Sequence, residues 1–263
     1  MLEFFLLTML VGLVAGLLAG LFGLGGGVVI VPALLWLFTE QQFPENQAMI
    51  MAVATSLATI IMTSISSLLS HHKLGNILWH RVYRLAPGIV TGSVAGAIVA
   101  DRVAPDQLKW LFIGYLCYVA LRMARQFPAN GKEGKRYRRL DYLAGPGIGL
   151  VSSLLGIGGG TLTVPYLVGR QVAIKNAVAI SSVCGLPIAI SGAAAYGLLG
   201  WGNSALPEWS LGYIYLPAFL GISVCSMLTA PIGAKLAHQL PAKKLKRYFS
   251  VLILIIAIKM LMQ

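Results

Sequence analysis

Charged residues are scarce in this sequence of 263 residues. Asp, Glu, Lys and Arg make up 11% of the chain, and only eight residues are acidic, whereas a soluble globular domain carries about 25% charged residues. Hydrophobic residues make up 57%, and the mean hydropathy is +0.81. The apolar stretches reach or approach the ~20 residues that cross a bilayer as a helix. These features exclude a soluble enzyme and predict an all-α integral membrane protein.

Cysteine is also rare. Cys117, Cys184 and Cys225 each lie inside an apolar stretch, and an odd number without zinc-ligand spacing predicts neither a disulfide framework nor a metal site. We expect them to pack as small buried side chains. No Lys or Arg precedes Lys73, so the chain lacks the basic region of a cleaved signal peptide and we expect the first segment to be retained.

The basic residues are concentrated in loops. The formal net charge is +12, and the densest basic run extends from Arg122 to Arg139 around Pro128, Gly131 and Gly134. No folded nucleic-acid module or aromatic stacking pattern surrounds this run, so we expect no nucleic-acid partner. The positive-inside rule favours a cytoplasmic loop instead.

Two copies of one pattern flank this loop. The segment Gly23-Leu24-Gly25-Gly26-Gly27, followed by Pro32, matches Gly156-Ile157-Gly158-Gly159-Gly160, followed by Pro165, at an offset of 133 residues. The next segment, Ala52 to Ser56, matches Ala177 to Ser181 at an offset of 125. A stripe of small residues then recurs at intervals of four, which is typical of close helix packing; its members are Gly88, Gly92 and Gly96 in one copy and Cys225, Thr229 and Gly233 in the other. The matches indicate an internal duplication.

Segmentation of the apolar pattern gives the same order of elements twice. The first copy, 1–125, has an element at 2–38 broken at the glycines, then helices near 46–70, 78–101 and 106–125. A basic linker follows at 126–140. The second copy, 141–263, completes a broken element at 140–169 and continues with helices near 173–199, 209–236 and 242–262.

The number of membrane crossings depends on the broken elements. If each crosses the bilayer, the chain crosses eight times and the copies are parallel. If each enters and returns as a hairpin, each copy crosses three times and the copies are inverted. With eight crossings only 11 of the 20 Lys and Arg lie on the side of the basic loop, whereas with hairpins 17 of 20 do. The positive-inside rule therefore favours hairpins, and a single broken spanning helix is the alternative.

The glycine breaks have a direct chemical meaning. Consecutive glycines interrupt a helix, and irregular backbone at membrane depth survives only where it is buried in protein or lines a polar cavity. A helix restarts near Val28 and near Thr161, and its first N–H groups lack partners and sit at the positive end of the helix dipole. Such a terminus binds anions, and a break in each repeat is typical of a transporter's central site. The alternative is that the glycines only form a tight hairpin tip.

Hydroxyl side chains near mid-helix complete the predicted site, although Ser and Thr in membrane helices also bond back to their own backbone. No Gly-Lys-Ser/Thr follows the glycines, which argues against a nucleotide site, and the segments hold no paired Asp for an intramembrane hydrolase. His71 and His72 end a helix beside Lys73, where they look like loop histidines, and we expect no metal role for them. The predicted substrate-binding residues are Gly23, Gly25, Gly26, Gly27, Val28, Thr55 and Ser56 in the first copy and Gly156, Gly158, Gly159, Gly160, Thr161, Ser181 and Ser182 in the second.

These motifs give the chain a resemblance to a known family over essentially its whole length. The duplicated Gly-Leu/Ile-Gly-Gly-Gly with its later proline, the Ala-Val-Ala-Thr-Ser at 52–56 and the basic central loop resemble the sulfite exporter TauE/SafE family, also called the toluene-sulfonate uptake permeases. One departure is that Thr55-Ser56 is replaced by Ile180-Ser181-Ser182 in the second copy, so equal substrate contacts from both halves are not expected.

The resemblance implies a bacterial or archaeal inner-membrane transporter of sulfite or an organosulfonate, with export the expected direction. We expect alternating access at a site between the repeats, no enzymatic activity and no cofactor. No ATP-binding motif is present, so the energy source would be the substrate's own gradient, an ion such as H⁺ or a further partner. The expected partners are a small anion and the lipid bilayer, with the oligomeric state open. The competing hypothesis is a membrane scaffold that uses the basic loop to hold a cytoplasmic protein.

Overall fold

The computed structural model describes residues 2–22, 25–124, 138–239 and 242–261. These residues form ten helices and one two-stranded antiparallel sheet. The elements are α1 (Leu2–Phe22), α2 (Gly27–Glu40), α3 (Glu45–Lys73), α4 (Trp79–Arg102), α5 (Pro105–Ala124), α6 (Arg138–Leu154), α7 (Gly160–Gly169), α8 (Ile174–Leu199), β1 (Ser210–Leu211), β2 (Ile214–Tyr215), α9 (Leu216–Gln239) and α10 (Ala242–Leu261).

The structure confirms the all-α class, and the helices agree closely with the segments expected from the sequence. The exception lies before α9, where the apolar pattern predicted a helix from 209. Residues 210–215 instead form the short sheet, in which Ser210 pairs with Tyr215. Gly212, with φ of 55°, turns the chain between the two strands because glycine adopts positive φ without steric cost. All three cysteines are free, and Cys184 and Cys225 are buried.

Five of the described helices are long and apolar enough to cross a membrane. They comprise Glu3–Leu21 of α1, all of α3, α4 and α8, and Leu216–Leu236 of α9. The exposed faces carry many large apolar side chains, for example Leu143 and Leu198, at 74% and 73% exposed. The chain is therefore a multi-pass membrane protein. Spanning by α5 and α10, each 20 residues long, stays a prediction.

Glycine faces bring the two halves of the chain together. α1 packs along α9, and α4 packs along α6. A Cβ added at Gly92 of α4 would collide with the Pro146 carbonyl, and one at Gly16 of α1 would collide with the Ser226 carbonyl. Small residues therefore let these backbones approach closely, which is the packing role expected for the stripes.

The helix packing follows the same order in each half. The first helix of each half packs on the fourth of the other, and the third helices, α3 and α8, pack on each other, as do the fifth, α5 and α10. Each half therefore packs its first helix against the other half, as expected if two similar halves interlock. The boundaries at 125, 140 and 263 stay predictions, because 125–137 and 262–263 lie outside the described residues.

Each glycine-broken element folds back on itself. The rings of Phe4, at the start of α1, and Phe38, near the end of α2, stack with centroids 6.5 Å apart. In the other half the Tyr166 hydroxyl of α7 bonds to Asp141 of α6, 2.8 Å away. The first hairpin closes at the Glu45 end of α3, where Phe38 stacks on Phe43. The second closes at the Lys73 end, where Arg81 of α4 binds Asp141. The two hairpins thus approach from opposite ends of α3.

Candidate functional site

The helices that follow the two breaks begin in the same way. Gly26 precedes α2 with φ of 79°, and Gly159 precedes α7 with φ of 72°. Glycine is suited to this left-handed conformation because a Cβ would be strained there. Each glycine's carbonyl accepts the first intrahelical bonds, from Val29 and Ile30 in α2 and from Leu162 and Thr163 in α7. The N–H groups of the first two residues of each helix, Gly27 and Val28 in α2 and Gly160 and Thr161 in α7, have no intrahelical acceptor.

The two glycine breaks touch each other in the middle of the bundle. A Cβ added at Gly25 would lie 2.9 Å from Gly158 Cα and 3.1 Å from Ile60 Cγ2. One added at Gly27 would collide with the Gly156 carbonyl. Both tips need glycine because each backbone fills the space that a side chain would take. Irregular backbone from both halves is thereby placed at one point beside α3 and α8.

A polar cleft lies beside this contact. It is so narrow that a sphere of water size does not fit inside it. Every lining side chain is threonine or smaller, and the set contains no charged residue. The lining residues are Ala19, Gly25, Thr63, Ser64, Ser67, Gly158, Ser181, Ser182 and Gly185. A narrow, neutral, hydroxyl-rich cleft of this kind can donate hydrogen bonds to a small anion once it widens.

Four of the residues singled out from the sequence line the cleft, namely Gly25, Gly158, Ser181 and Ser182. Gly26, Gly27 and Val28, and Gly159, Gly160 and Thr161, lie at the adjoining helix starts and are not among the lining residues. Gly156 packs against Val53 of α3. Gly23 lies outside the described residues.

Four predicted hydroxyls bond to other groups of the protein. Ser182 Oγ donates to the Val178 carbonyl of its own helix at 3.1 Å, and the other three bond between the two halves of the chain. Thr55 Oγ1 accepts from the backbone N–H of Tyr215, 3.0 Å away. Ser56 Oγ donates to the Gly156 carbonyl at 2.7 Å, and the Thr161 hydroxyl bonds to the Tyr115 hydroxyl. These bonds fasten the first half of the chain to the second. The hydroxyls of Thr55, Ser56 and Thr161 therefore stabilise the packing of the two halves and do not line the cleft.

Sequence reasoning missed the larger part of the lining from α3 and α8. Ser64, Ser67 and Gly185 were not singled out, although Ser64 and Ser67 follow Ser56 by eight and eleven residues. That spacing places all three serines on one side of a helix with 3.6 residues per turn. Helical spacing from Ser56 was therefore the signal that could have found them.

A buried charge cluster lies at the Lys73 end of α3. Arg81 Nη1 donates to Asp141 Oδ2 at 2.7 Å, and their side chains are 5% and 0% exposed. Tyr166 donates to Asp141 Oδ1 at 2.8 Å, and Arg170 stands 5.4 Å from the centre of the Tyr166 ring. The paired Arg81 thus fastens α4 to the second hairpin. Within the described residues no group of three His, Cys, Asp or Glu could hold a metal ion.

At the Glu45 end the short sheet covers the bundle. The Tyr215 ring meets Phe4, Phe38 and Phe43 edge to face, with centroids 5.1 to 5.8 Å apart. Its neighbour Tyr213 donates to Asp101 Oδ1 at 2.8 Å. Burial, followed by this hydrogen bond and the charge of Asp101, raises the pKa of Tyr213 to about 12.

Comparison with known proteins identifies relatives of the whole chain. The family model described as "Sulfite exporter TauE/SafE" matches residues 8–260. A protein of Haemophilus influenzae called "Probable membrane transporter protein" is 41% identical over 264 residues, covering 100% of both chains. A probable membrane transporter protein of Methanocaldococcus jannaschii is 30% identical, covering 99% of this chain and 97% of its own. No solved structure matches the chain.

Proposed function

The chain belongs to the sulfite exporter TauE/SafE family of membrane transporters, and we propose that it moves a small sulfur-containing anion through the cleft between its two glycine breaks. Sulfite and a compact organosulfonate are the substrates we favour, and export is the favoured direction. Membership of a transporter family favours this function over the membrane scaffold considered from the sequence. The observation that carries the proposal is the contact of Gly25 with Gly158 beside the buried serines of α3 and α8.

The chemistry of the cleft suits an anion. The helix starts after Gly26 and Gly159 adjoin the cleft and bring the positive ends of two helix dipoles close to it, and Ser181 and Ser182 line it. A dipole contributes up to ~2 kcal/mol in a partly buried site, and a hydrogen bond to a charged group contributes about 1.5–3 kcal/mol. Several such contacts offset much of the cost of desolvating an anion. Without a fixed countercharge the anion is held weakly and can leave, as transport requires.

The arrangement of the hairpins suggests how the site is exposed to each side in turn. We place both glycine-broken elements as re-entrant hairpins of two inverted repeats, because their ends close at opposite ends of α3 and because this topology puts 17 of 20 basic residues on one side. Rocking of one repeat against the other would open the cleft alternately at the Lys73 end and at the Glu45 end.

The proposal also covers the energy source of transport and the membrane in which the protein lies. The sequence carries no ATP-binding motif, so an ion gradient such as that of H⁺, or the gradient of the substrate itself, drives transport. The Lys73 end faces the cytoplasm, since it adjoins the basic loops. The bacterial or archaeal inner membrane is the location that this orientation implies.

The direct experiment is flux in proteoliposomes that contain only the purified protein. We expect saturable uptake of labelled sulfite, or of sulfoacetate, that exceeds leakage into protein-free liposomes. A parallel series with and without an imposed pH gradient identifies proton coupling. Absence of flux and of thermal stabilisation by every sulfur oxyanion tested would overturn the proposed substrate class.

A further inference from the structure

One face of α3 continues the polar lining beyond the cleft. Ser56, Ile60, Ser64, Ser67 and His71 follow one another at intervals of four, four, three and four residues. At about 100° per residue they fall within an arc of about 80°. Ser64 and Ser67 are each 3% exposed, and His71 is 2% exposed. A buried polar strip therefore runs from the contact of the two breaks to the Lys73 end of the helix.

The hydroxyls of this strip differ from those of their neighbours on the same helix. Ser66 Oγ donates to the Met227 carbonyl of α9 at 2.9 Å, and Ser70 Oγ donates to the Ser66 carbonyl at 3.0 Å. Ser64 and Ser67 line the cleft instead, and Ser64 Oγ lies 2.8 Å from the position of a Cβ added at Gly185 across it. Ser64 and Ser67 are therefore placed to contact a ligand that enters the cleft.

On the corresponding face of α8, packed side chains leave no cleft. The residues 125 positions later are Ser181, Gly185, Ala189, Gly192 and Tyr196. The side chains of Leu57, Ser93 and Ser153 close on Gly192, with Leu57 Cδ1 2.8 Å from the position of an added Cβ. Tyr196 is fully buried and donates to the Ser153 carbonyl at 3.1 Å. Toward the Glu45 end of the bundle, side chains therefore fill the space that corresponds to the cleft at the Lys73 end.

One substitution between the halves explains why the cleft is one-sided. Ile60 of α3 occupies the position that corresponds to Gly185 of α8. The Ile60 side chain packs against the first glycine tip, 3.1 Å from the positions of Cβ atoms added at Gly25 and Gly27. At Gly185 the equivalent space is bordered by Ser64 Oγ, 2.8 Å from an added Cβ. The missing side chain at Gly185 leaves the room that the cleft occupies.

We propose that Ser64, Ser67 and His71 form the half-path by which a small oxyanion passes between the cleft and the Lys73 end of the bundle, while Tyr196 closes the opposite half-path. This inference rests on the proposed transport function. Successive hydroxyl and imidazole donors hold an anion at several weak positions, which lets it move on. The positive charges of Lys73, at the end of α3, and of Arg84, in the second turn of α4, raise the anion concentration at the mouth.

Cysteine modification tests the path without requiring transport. Single cysteines replace Ser64, Ser67 or Ser66 in a variant free of the three native cysteines, and the probe is 2-sulfonatoethyl methanethiosulfonate, itself a sulfonate anion. Ser66 is the matched control because it is also buried, at 6% exposed, but points to α9. We expect S64C and S67C to react at least about tenfold faster than S66C and than A189C on the filled face of α8.

Two outcomes overturn the half-path: S66C reacts as fast as S67C, or neither S64C nor S67C reacts although the cysteine-free protein transports sulfite. Fast modification of S64C and S67C without flux of any sulfur anion would support the half-path but contradict the proposed substrate class. Monodispersity in detergent reports folding of each variant. As a second measurement, Ser67→Ala should lower sulfite flux about three- to tenfold at subsaturating concentration, whereas Ser66→Ala should not change it, and equal flux in the two variants contradicts the proposal.

Discussion

The Tyr166 hydroxyl donates a hydrogen bond to Asp141 across the two arms of the second hairpin, at 2.8 Å, and Asp141 is bound on its other oxygen by Arg81 of α4. One carboxylate therefore ties three helices together at the Lys73 end of the bundle. The corresponding positions of the first half, 133 residues earlier, are Thr8 and Ala33. At the Glu45 end the first hairpin is closed by stacked aromatic rings instead.

Removing the charge of Asp141 should destabilise the protein strongly. Asp141→Asn leaves Arg81 as a buried charge without its counterion, which costs about 3–5 kcal/mol, whereas Tyr166→Phe loses one hydrogen bond to a charged group, about 1.5–3 kcal/mol. Denaturant unfolding in detergent measures both. Tyr142→Phe is the control, since Tyr142 is 51% exposed and its change should stay within about 0.5 kcal/mol. Unfolding of Asp141→Asn at the wild-type midpoint would show that the ion pair contributes little.

Closing the space between α4 and α6 should also destabilise the fold. Gly92→Ala places a methyl group against the Pro146 carbonyl, and such overpacking costs about 1–3 kcal/mol. Gly114→Ala of α5 is the control, because nothing lies within 4 Å of its added Cβ and alanine favours a helix by about 0.5–1 kcal/mol. The two variants should shift the unfolding midpoint in opposite directions, and a shared direction would contradict the packing role of the glycine face.

Narrowing the cleft should impair transport more than folding. The methyl group of Gly185→Ala would lie 2.8 Å from Ser64 Oγ and 3.1 Å from the Gly158 carbonyl, so it intrudes on the space for the anion. We expect sulfite flux to fall about tenfold, corresponding to roughly 1.4 kcal/mol of lost binding. Gly197→Ala on the same helix has its nearest contact at 4.0 Å and should retain flux. Normal flux in Gly185→Ala would place the substrate elsewhere.

The proposed topology has a separate test. Single cysteines at Lys135 and Lys244 should react only with reagents on the cytoplasmic side, because both lie in strongly basic stretches of the sequence. Cysteines at Glu40 and Trp201 should react from the opposite side. Labelling of intact cells with an impermeant maleimide, before and after permeabilisation, distinguishes them. Labelling of position 244 from outside would favour the eight-crossing arrangement.

The hydrogen bond from Tyr213 to Asp101 should weaken only at high pH. Because the pKa of Tyr213 is raised from 10.0 to about 12, the bond contributes fully below about pH 10 and is lost as the pH rises toward 12. Tyr213→Phe should therefore unfold at a lower temperature than wild type at pH 8, and the difference should shrink by pH 11.5. A difference independent of pH would show that the phenol does not titrate with folding.

The main features of the fold could be predicted because the membrane imposes strong patterns. Long apolar runs, repeated glycine spacings and basic loops placed the helices near their observed bounds. The strand pair at 210–215 escaped prediction since Tyr213 to Leu216 continues directly into the apolar run of α9, and nothing in composition separates the two. The binding of Asp141 to Arg81 could not be predicted, because the two residues are 60 positions apart and meet only through packing of α4 on α6.

The candidate site was predicted in part. Glycine motifs located the tips, because only glycine permits backbones as close as Gly25 and Gly158. Which hydroxyls face the cleft depends on helix rotation, and Ser56 and Ser64 illustrate the difficulty. Both lie on the same side of α3, yet Ser56 is bonded to the Gly156 carbonyl whereas Ser64 lines the cleft. A composition count treats these two serines alike, and only the position of the second hairpin separates them.

The measurement that tests the central claim most directly is sulfite flux into proteoliposomes that contain either wild-type protein or the Ser181→Ala, Ser182→Ala double variant. Ser191→Ala on the same helix is the control, because Ser191 does not line the cleft although its hydroxyl, like that of Ser182, bonds to a carbonyl of its own helix. We expect saturable sulfite flux in wild type and in the Ser191 variant, and a loss of about tenfold or more in the double variant at equal protein content. Wild-type flux in the double variant would show that the anion does not pass between the two glycine breaks.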